Sequence, residues 1–498
     1  HGMVNHLTRG FDGWVYACHG FTNLSRVAGR DGDTITLGSG NTFRFRADGS
    51  RAEQTTRGRV NPFGLTFDDW GYQYSSDCHS SPLYQLIMGA DYPYFGRLPE
   101  GIGFAPVMKP HEREATALSG LALASGSTFP EPYRTSFYLG DVVKCRIYRT
   151  SYQFRGSSPV GKMEADFLRS TDPWFRPVDV VQGPDGALYV ADFYNRIIGH
   201  YEVPLDNPGR DRVRGRIWRI TYDGVVNRAG WEDYTKAPLA RLIEALGADN
   251  LPLRMTAAEQ LVRRVGGPAV APLLRLLGNR RTRPVVVAHA LWVLRQLGAL
   301  PDDALTAALR HPDPLVRTHA LRVVLDGGDA ARRFQAAVVA TLDDPNPHVQ
   351  RAAVEALARY PDPEMVRALV RVLGRVPDFD THLAYTIKLC LRNLLRQPTL
   401  GEAVTAAAWT PAEQTLLAEP LSGVSTAYAA RFLRRAVEAV ALPRETELRL
   451  LRHAALYLPP NERDELTGFV RKKYAGDPAS QYRLYAVVRQ AVLQQGAT

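Results

Sequence analysis

The chain has 498 residues, 45% of them hydrophobic and 22% charged, with a net charge of +10. That length predicts two to four domains at roughly 100–200 residues each, and the composition excludes a disordered or collagen-like chain. No apolar run reaches the roughly 18–20 residues of a membrane-spanning helix. Four cysteines without a C-x-x-C exclude a disulfide scaffold, a zinc ribbon and an attached c-type haem. The basic excess is almost all arginine, and no nucleic-acid motif accompanies it.

The chain opens on His1 rather than Met, so the native start is expected upstream. Up to about residue 225 the text reads as short strands between Gly-containing turns such as Asp12-Gly13 and Asp185-Gly186. A unit recurs in which a strand Tyr is followed three residues later by a polar residue. The pairs are Tyr16 and His19, Tyr74 and Asp77, Tyr138 and Asp141, Tyr189 and Asp192. A second strand follows soon after each. This predicts about four blades of a partial β-propeller, with equivalent positions of successive blades arranged round one axis. Because His1 falls inside a blade, further blades are expected before it. At the ring position an Asp either builds a site or caps the turn into the next strand through backbone amides.

Residues 226–237 read as a linker. From 238 to 400 Leu, Ala, Val and Arg recur at helical spacing, with Ala257, Ala290, Ala320, Ala353 and Thr386 at equivalent places about one repeat apart. Asp313-Pro314, Asp344-Pro345 and Asn346-Pro347 open helices. Units that cannot bury an apolar face alone stack into a solenoid, and these look like HEAT repeats. Residues 401–498 read as degenerate repeats and a cap. The fold class predicted is therefore multidomain, an all-β propeller followed by an all-α solenoid. The histidines of the helical half stand singly, without ligand spacing.

Several blocks of the first 225 residues resemble a known family. Arg59-Val60-Asn61-Pro62 and Arg176-Pro177-Val178-Asp179 resemble blade motifs of the pyrroloquinoline-quinone (PQQ) sugar dehydrogenases. Phe11-Asp12-Gly13-Trp14, Ser76-Asp77-Cys78-His79-Ser80 and the stretch from Asp172 to Tyr201 resemble a planctomycete and verrucomicrobial family. Its members are called membrane-bound dehydrogenases or haem-binding CxxCH proteins. The resemblance implies a cell-envelope or periplasmic oxidoreductase acting on a sugar or polyol, with PQQ and calcium as cofactors. A c-type haem domain outside this chain would accept the electrons.

On that resemblance His1 or His6 stands near the place of the catalytic base, with His79 as a further candidate, since a group titrating near neutrality suits proton removal from a hydroxyl. Arg59, Asn61 and Arg176 are the cofactor-binding candidates. Asp77, Cys78, His79 and His19 are the metal candidates, the two Cys-His dipeptides offering soft and borderline ligands. Buried packing, or a disulfide between Cys18 and Cys78, are the competing readings of those cysteines. The resemblance departs at Val60, where the enzymes carry Arg, and at Ser80-Ser81-Pro82-Leu83, where they carry an acidic calcium loop.

Two functions remain open. An enzyme needs His1 or His6, Asp77, His79 and Arg176 around one cavity. A non-catalytic propeller binding a glycan or protein, with the solenoid presenting a surface to a protein partner, needs aromatic residues such as Trp70 or Tyr72 at the mouth.

Overall fold

The computed structural model describes residues 3–78, 81, 83–94, 99, 101–108, 117–199, 203–224 and 232–495. Strands fill the chain as far as Ile220, and helices follow from Leu239. The change of composition near residue 235 falls between them.

Each of the four Tyr-centred units is one antiparallel sheet. The first runs β1 (Val4–Arg9), β2 (Val15–His19), β5 (Thr42–Phe45), β6 (Ala52–Thr56), with the hairpin of β3 (Ser25–Ala28) and β4 (Thr34–Leu37) inserted after β2. The second is β7 (Pro62–Phe67), β8 (Gln73–Asp77), β9 (Tyr84–Leu86). The third is β10 (Leu118–Leu123), β11 (Ser136–Asp141), β12 (Arg146–Arg155), β13 (Ser158–Met163), with β14 (Leu168–Arg169) also on β12. The fourth is β15 (Pro177–Gln182), β16 (Leu188–Asp192), β17 (Arg216–Ile220).

Each sheet begins with an inner strand, and these strands are neighbours in chain order: β1 beside β7, β7 beside β10, β10 beside β15. The apolar cores lie between successive sheets. Tyr74, Leu121, Phe137 and Leu139 fill one; Ala122, Ile147, Val180, Leu188 and Val190 fill the next. Alternate residues of a strand face opposite sides, so Leu188 and Val190 point inward together. Burying each large aliphatic side chain contributes about 1.5–3 kcal/mol.

Sixteen α-helices follow among the described residues, from α1 (Leu239–Ala245) to α16 (Pro478–Gln495). The repeat position falls on every second helix. Ala257 is on α2 (Leu251–Gln260), Ala290 on α4 (Pro284–Gln296), Ala320 on α6 (Pro314–Asp326), Ala353 on α8 (Pro347–Leu357) and Thr386 on α10 (Thr381–Leu395). None of the five is more than 3% exposed, as small residues are where helices approach closely. The Asp313-Pro314 opening works as predicted. Asp313 caps α6 by accepting from Leu315 N at 2.8 Å, and Pro314 takes the first helical position, where no N–H is needed.

The compact units do not follow the strand–helix boundary. One unit comprises His1–Arg97, Ala105–Gly327 and Asn346–Val349, so it joins the four sheets to α1 through α6. The other comprises Leu98–Phe104, Gly328–Pro345 and Gln350–Thr498. In the second unit Gly101 and Gly103 are held by the helices, through Ser422 Oγ (3.0 Å) and Arg449 Nη1 (3.1 Å) donating to Gly101 O and Tyr385 OH (3.2 Å) to Gly103 O.

Candidate functional site

Each inner strand pairs with the second strand of its sheet through a ladder interrupted near its start. A bulge bends the strand and re-aims a side chain. The third residue of the four strands is His6, Gly64, Gly120 and Asp179. His6 (φ 51°), Gly64 (φ 154°) and Gly120 (φ 74°) have positive φ. The glycines are required by space. A Cβ on Gly120 would lie 2.5 Å from Val180 N, and one on Gly64 2.9 Å from Gly120 C.

At the same level His6 Nε2 lies 3.1 Å from Asp179 Oδ1, so a side-chain bond joins the first inner strand to the last. The other junctions are side chain to carbonyl: Asn5 Nδ2 to Pro62 O (3.3 Å), Ser76 Oγ to Gly120 O (3.2 Å) and Ser119 Oγ to Val178 O. Asn5 also fixes the imidazole. Its Nδ2 donates to Met3 O and Pro62 O, which turns Oδ1 toward His6 Nδ1 at 2.7 Å. This orientation suits hydrogen on Nδ1, and Nε2 is the ring nitrogen that faces Asp179. His6 is 11% exposed and Asp179 38%.

The four predicted ring residues share one register. His19, Asp77, Asp141 and Asp192 each end the second strand of a sheet, opposite the first residue of the inner strand. All are buried, and all serve the backbone or a neighbouring side chain. Asp77 accepts from Val60 N (2.9 Å) and Asn61 N (3.4 Å). Asp141 accepts from Val143 N, Lys144 N and Tyr148 OH. Asp192 accepts from Arg176 N, Tyr194 N and Trp218 Nε1. His19 bonds Gly38 O (2.8 Å) and Ser25 Oγ (2.9 Å), and burial holds its imidazole below the usual range.

The remaining predicted residues are placed as follows. Arg176 spends its guanidinium on the carbonyls of Asn195, Val142, Val143 and Arg196, which ties the fourth sheet to a turn of the third. Arg59 is fully buried and donates to Ser75 Oγ, while its Nε and Nη2 find no partner among the described residues. Asn61 accepts from Phe21 N through its side chain. Cys18 and Cys78 are free buried thiols and not a disulfide. Burial raises both, Cys78 to about 12, so the thiolate that a metal needs is disfavoured. Among the described residues no three His, Cys, Asp or Glu side chains are placed to hold a metal ion. His1 and His79 lie outside the described residues.

At the opposite end of the inner strands lies a cavity of about 670 Å³. Its walls come from Leu7–Arg9, Leu65–Phe67, Leu121–Leu123 and Val181–Gln182, and α2 covers it with Leu251, Met255 and Glu259. The turn after β7 contributes Asp68, Asp69 and Trp70, and β12 contributes Tyr152 and Phe154. Arg9 pairs with Glu259 at 3.1 Å across it.

Sequence reasoning missed the device that sets this end. In three sheets a turn Asp receives the hydroxyl of the repeat Tyr: Tyr16 to Asp12 (2.8 Å), Tyr74 to Asp68 (2.9 Å), Tyr189 to Asp185 (3.0 Å). The residue facing that Tyr on the next strand completes the group. It is Arg44 in the first sheet and Arg219 in the fourth, each donating to the Asp. In the second sheet it is Gln85, which reaches Tyr74 OH at 3.0 Å. Burial pushes the Asp68 carboxyl up to about 7. For Asp185, burial is outweighed by the bonds from Arg219 and Tyr189, and its carboxyl is lowered. The i, i+4 spacing of Asp12–Tyr16 and Asp185–Tyr189 was the available signal.

Three of the single histidines of the helical half, His289, His319 and His348, also stand on this side. Trp70 stacks on His348 at 4.1 Å, and Phe11 lies 5.1 and 4.9 Å from His289 and His319. Arg254 reaches Asp69 and His289.

Residues 1–224 match a family model described as a domain of unknown function, DUF7133, and residues 301–386 match a model of HEAT repeats. No curated protein matches the chain. Among solved structures a glucose dehydrogenase is similar at 19% identity and TM-score 0.30, over 44% of this chain and 62% of that one. A glucose dehydrogenase-type oxidoreductase of Thermus thermophilus is similar at 21% identity and TM-score 0.30, over 42% and 62%. The complex of CpcE and CpcF of phycocyanin lyase from Nostoc is similar at 18% identity and TM-score 0.24, over 54% and 99%. The chain thus spans 62% of the length of these two glucose dehydrogenases.

Proposed function

We propose that the four sheets are blades of a propeller of the sugar-dehydrogenase kind, and that the module binds a sugar or polyol in the cavity beneath α2. One observation carries the reading: the aromatic residues Trp70, Tyr152 and Phe154 line one cavity with Arg9, Asp68 and Gln153. Apolar walls with a few polar groups are the usual make-up of a small-molecule site of this size, and aromatic rings pack well against the C–H face of a sugar. Tyr72, the other aromatic expected at the mouth, is buried instead. The HEAT repeats offer the surface for a protein partner.

The described residues do not fit PQQ and calcium. Calcium takes six to eight oxygens, whereas both Asp77 oxygens accept backbone N–H groups. Arg176 is committed through Nε, Nη1 and Nη2 to backbone carbonyls, and Arg59 is enclosed beside Ser75. No step is derived through that cofactor.

A second reading is a dehydrogenase in which a two-electron redox cofactor would take the hydride of a sugar or polyol and pass the electrons to a c-type haem domain outside this chain; the His6–Asp179 pair favours it, as a candidate acceptor for the hydroxyl proton. A cell-envelope location goes with it. Among the described residues no helix is long and apolar enough to cross a membrane.

The test is calorimetric titration of the full chain with glucose and sorbitol, beside dye reduction with added PQQ and calcium. Binding without dye reduction, weakened at least about tenfold in Trp70→Ala, is expected. Reduction abolished by His6→Ala would move the assignment to the second reading, and neither binding nor reduction overturns both.

A further inference from the structure

The turn Asp is locked by an arginine in the first and fourth sheets and not in the second. Asp12 faces Arg44 at 3.0 Å, and Asp185 faces Arg219 at 2.7 Å. The Asp68 carboxyl comes from two residues earlier in its turn, at the place of Gly10 and Gly183, but takes the same Tyr hydroxyl and the same turn amide, from Tyr72 N at 2.9 Å, and has Gln85 where the arginine would stand. Among the three it is also the one that lines the cavity under α2. A carboxyl freed from its cation and set among aromatic residues is the arrangement that keeps an acid neutral so that it can donate.

We propose that Asp68 is the hydrogen-bond donor of this cavity, a neutral carboxylic acid that holds a hydroxyl oxygen of the bound sugar or polyol, and that Gln85 is the substitution that releases it from the fold for this task. The inference rests on the cavity being a sugar or polyol site. Both Asp68 oxygens accept from the protein, and each retains a lone pair, so an O–H on either can still point to a ligand.

The groups round Asp68 are Asp69 on the same turn, Tyr74 on β8, Gln85 on β9, Tyr152 on β12 and Arg322 on α6. Asp69 is itself paired with Arg254 of α2, and Arg9 with Glu259 of α2, so neither cation is spent on Asp68. The histidines on this side bond elsewhere, His319 to Asp69 O and His348 to Tyr72 OH. Burial and the neighbouring Asp69 therefore outweigh the bonds from Tyr72 N and Tyr74 OH and the charge of Arg322. With the carboxyl midpoint at about 7, a ligand that needs the acid form binds about thirtyfold more weakly at pH 8.5 than at pH 5.5.

The experiment uses the full chain. Infrared difference spectroscopy of wild type against Asp68→Asn at pH 6 reads the protonated carboxyl directly. Calorimetry with glucose and with sorbitol at pH 5.5 and 8.5 reads its use. Expected are a carboxylic-acid band absent from Asp68→Asn and from Gln85→Arg, and wild-type binding that weakens at least about tenfold at the higher pH. Asp68→Asn, a permanent neutral donor, keeps its affinity at both pH values. Gln85→Arg restores the lock of the other sheets and binds weakly at both. Should Gln85→Arg fail to fold, Asp68→Asn alone decides. No acid band, or wild-type binding that ignores pH, overturns this inference while leaving the sugar reading standing. Absence of binding at either pH overturns both.

Discussion

His319 is held as the neutral imidazole by two hydrogen bonds of opposite sense. Trp292 Nε1 donates to its Nδ1 at 2.9 Å, and its Nε2 donates to Asp69 O at 2.8 Å. Burial, with the charges of Arg322 and Arg254 adding to it, lowers the imidazole to about 3, and His289, which accepts from Arg254 Nε at 3.2 Å, is lowered well below its usual range. The folded value lies below the unfolded one, so as pH falls the unfolded chain takes protons first. The stability each neutral histidine contributes is complete above about pH 6.5 and is lost as pH falls toward the folded value, by about 1.4 kcal/mol per pH unit. Asp68 runs the other way: its folded value of about 7 lies above the unfolded one, so its contribution is present below about pH 4 and lost as pH rises through 7. Wild type and His319→Phe share Asp68, so their difference isolates the histidine. Urea denaturation at pH 7.5 and at pH 5.5 should show the wild-type advantage shrinking by roughly 1 kcal/mol at the lower pH. A constant difference would mean that His319 takes up protons in the fold just as it does in the unfolded chain.

At the scale of strands and helices, close approach decides which residues are free to vary. Gly120 and Gly49 both have left-handed backbone, at φ 74° and 76°. A Cβ on Gly49 meets nothing within 4 Å, whereas one on Gly120 meets the backbone of Asp179 and Val180. Gly49→Ala should therefore cost only the conformational term of about 1–2 kcal/mol, and Gly120→Ala at least about 2 kcal/mol more, a gap measurable by thermal or chemical denaturation. Equal costs would show that the inner strands can separate. These elements also explain what could be read in advance. The helix openings at Asp313-Pro314 and the buried small residue of each second helix were legible, because capping and close packing act within one turn of chain. So was the register of His19, Asp77, Asp141 and Asp192, because a period survives any change of partner. The roles of these residues were less legible, since an Asp that caps amides and an Asp that binds metal are the same letter. The level at which His6, Gly64, Gly120 and Asp179 meet was invisible, because it depends on four bulges, one of them placing a histidine in a conformation that glycine usually takes. The cavity was invisible too, since it brings α2 together with four strands that lie far from it and from one another in the chain.

For the whole molecule, the compact unit that joins the sheets to α1 through α6 changes what a sensible fragment is. Composition invites a cut near residue 235. Such a fragment would lose Gln296, whose Nε2 donates to Phe11 O at 2.9 Å, together with Arg254 on Asp69 and Arg322 on Gly71 O. It would leave Phe11, Trp70 and Tyr72 facing water. A chain ending at residue 235 should bind a hydrophobic dye and lose cooperative unfolding, as read by calorimetry; a single sharp transition at the full chain's midpoint would contradict this.

The junctions between the inner strands differ in how many side chains each one needs. Those within the series pair one side-chain donor, Asn5, Ser76 or Ser119, with a backbone carbonyl that every residue supplies. The junction of first with last needs two side chains, His6 and Asp179, and a change at either removes its bond. That junction therefore presents two mutable positions where each of the others presents one.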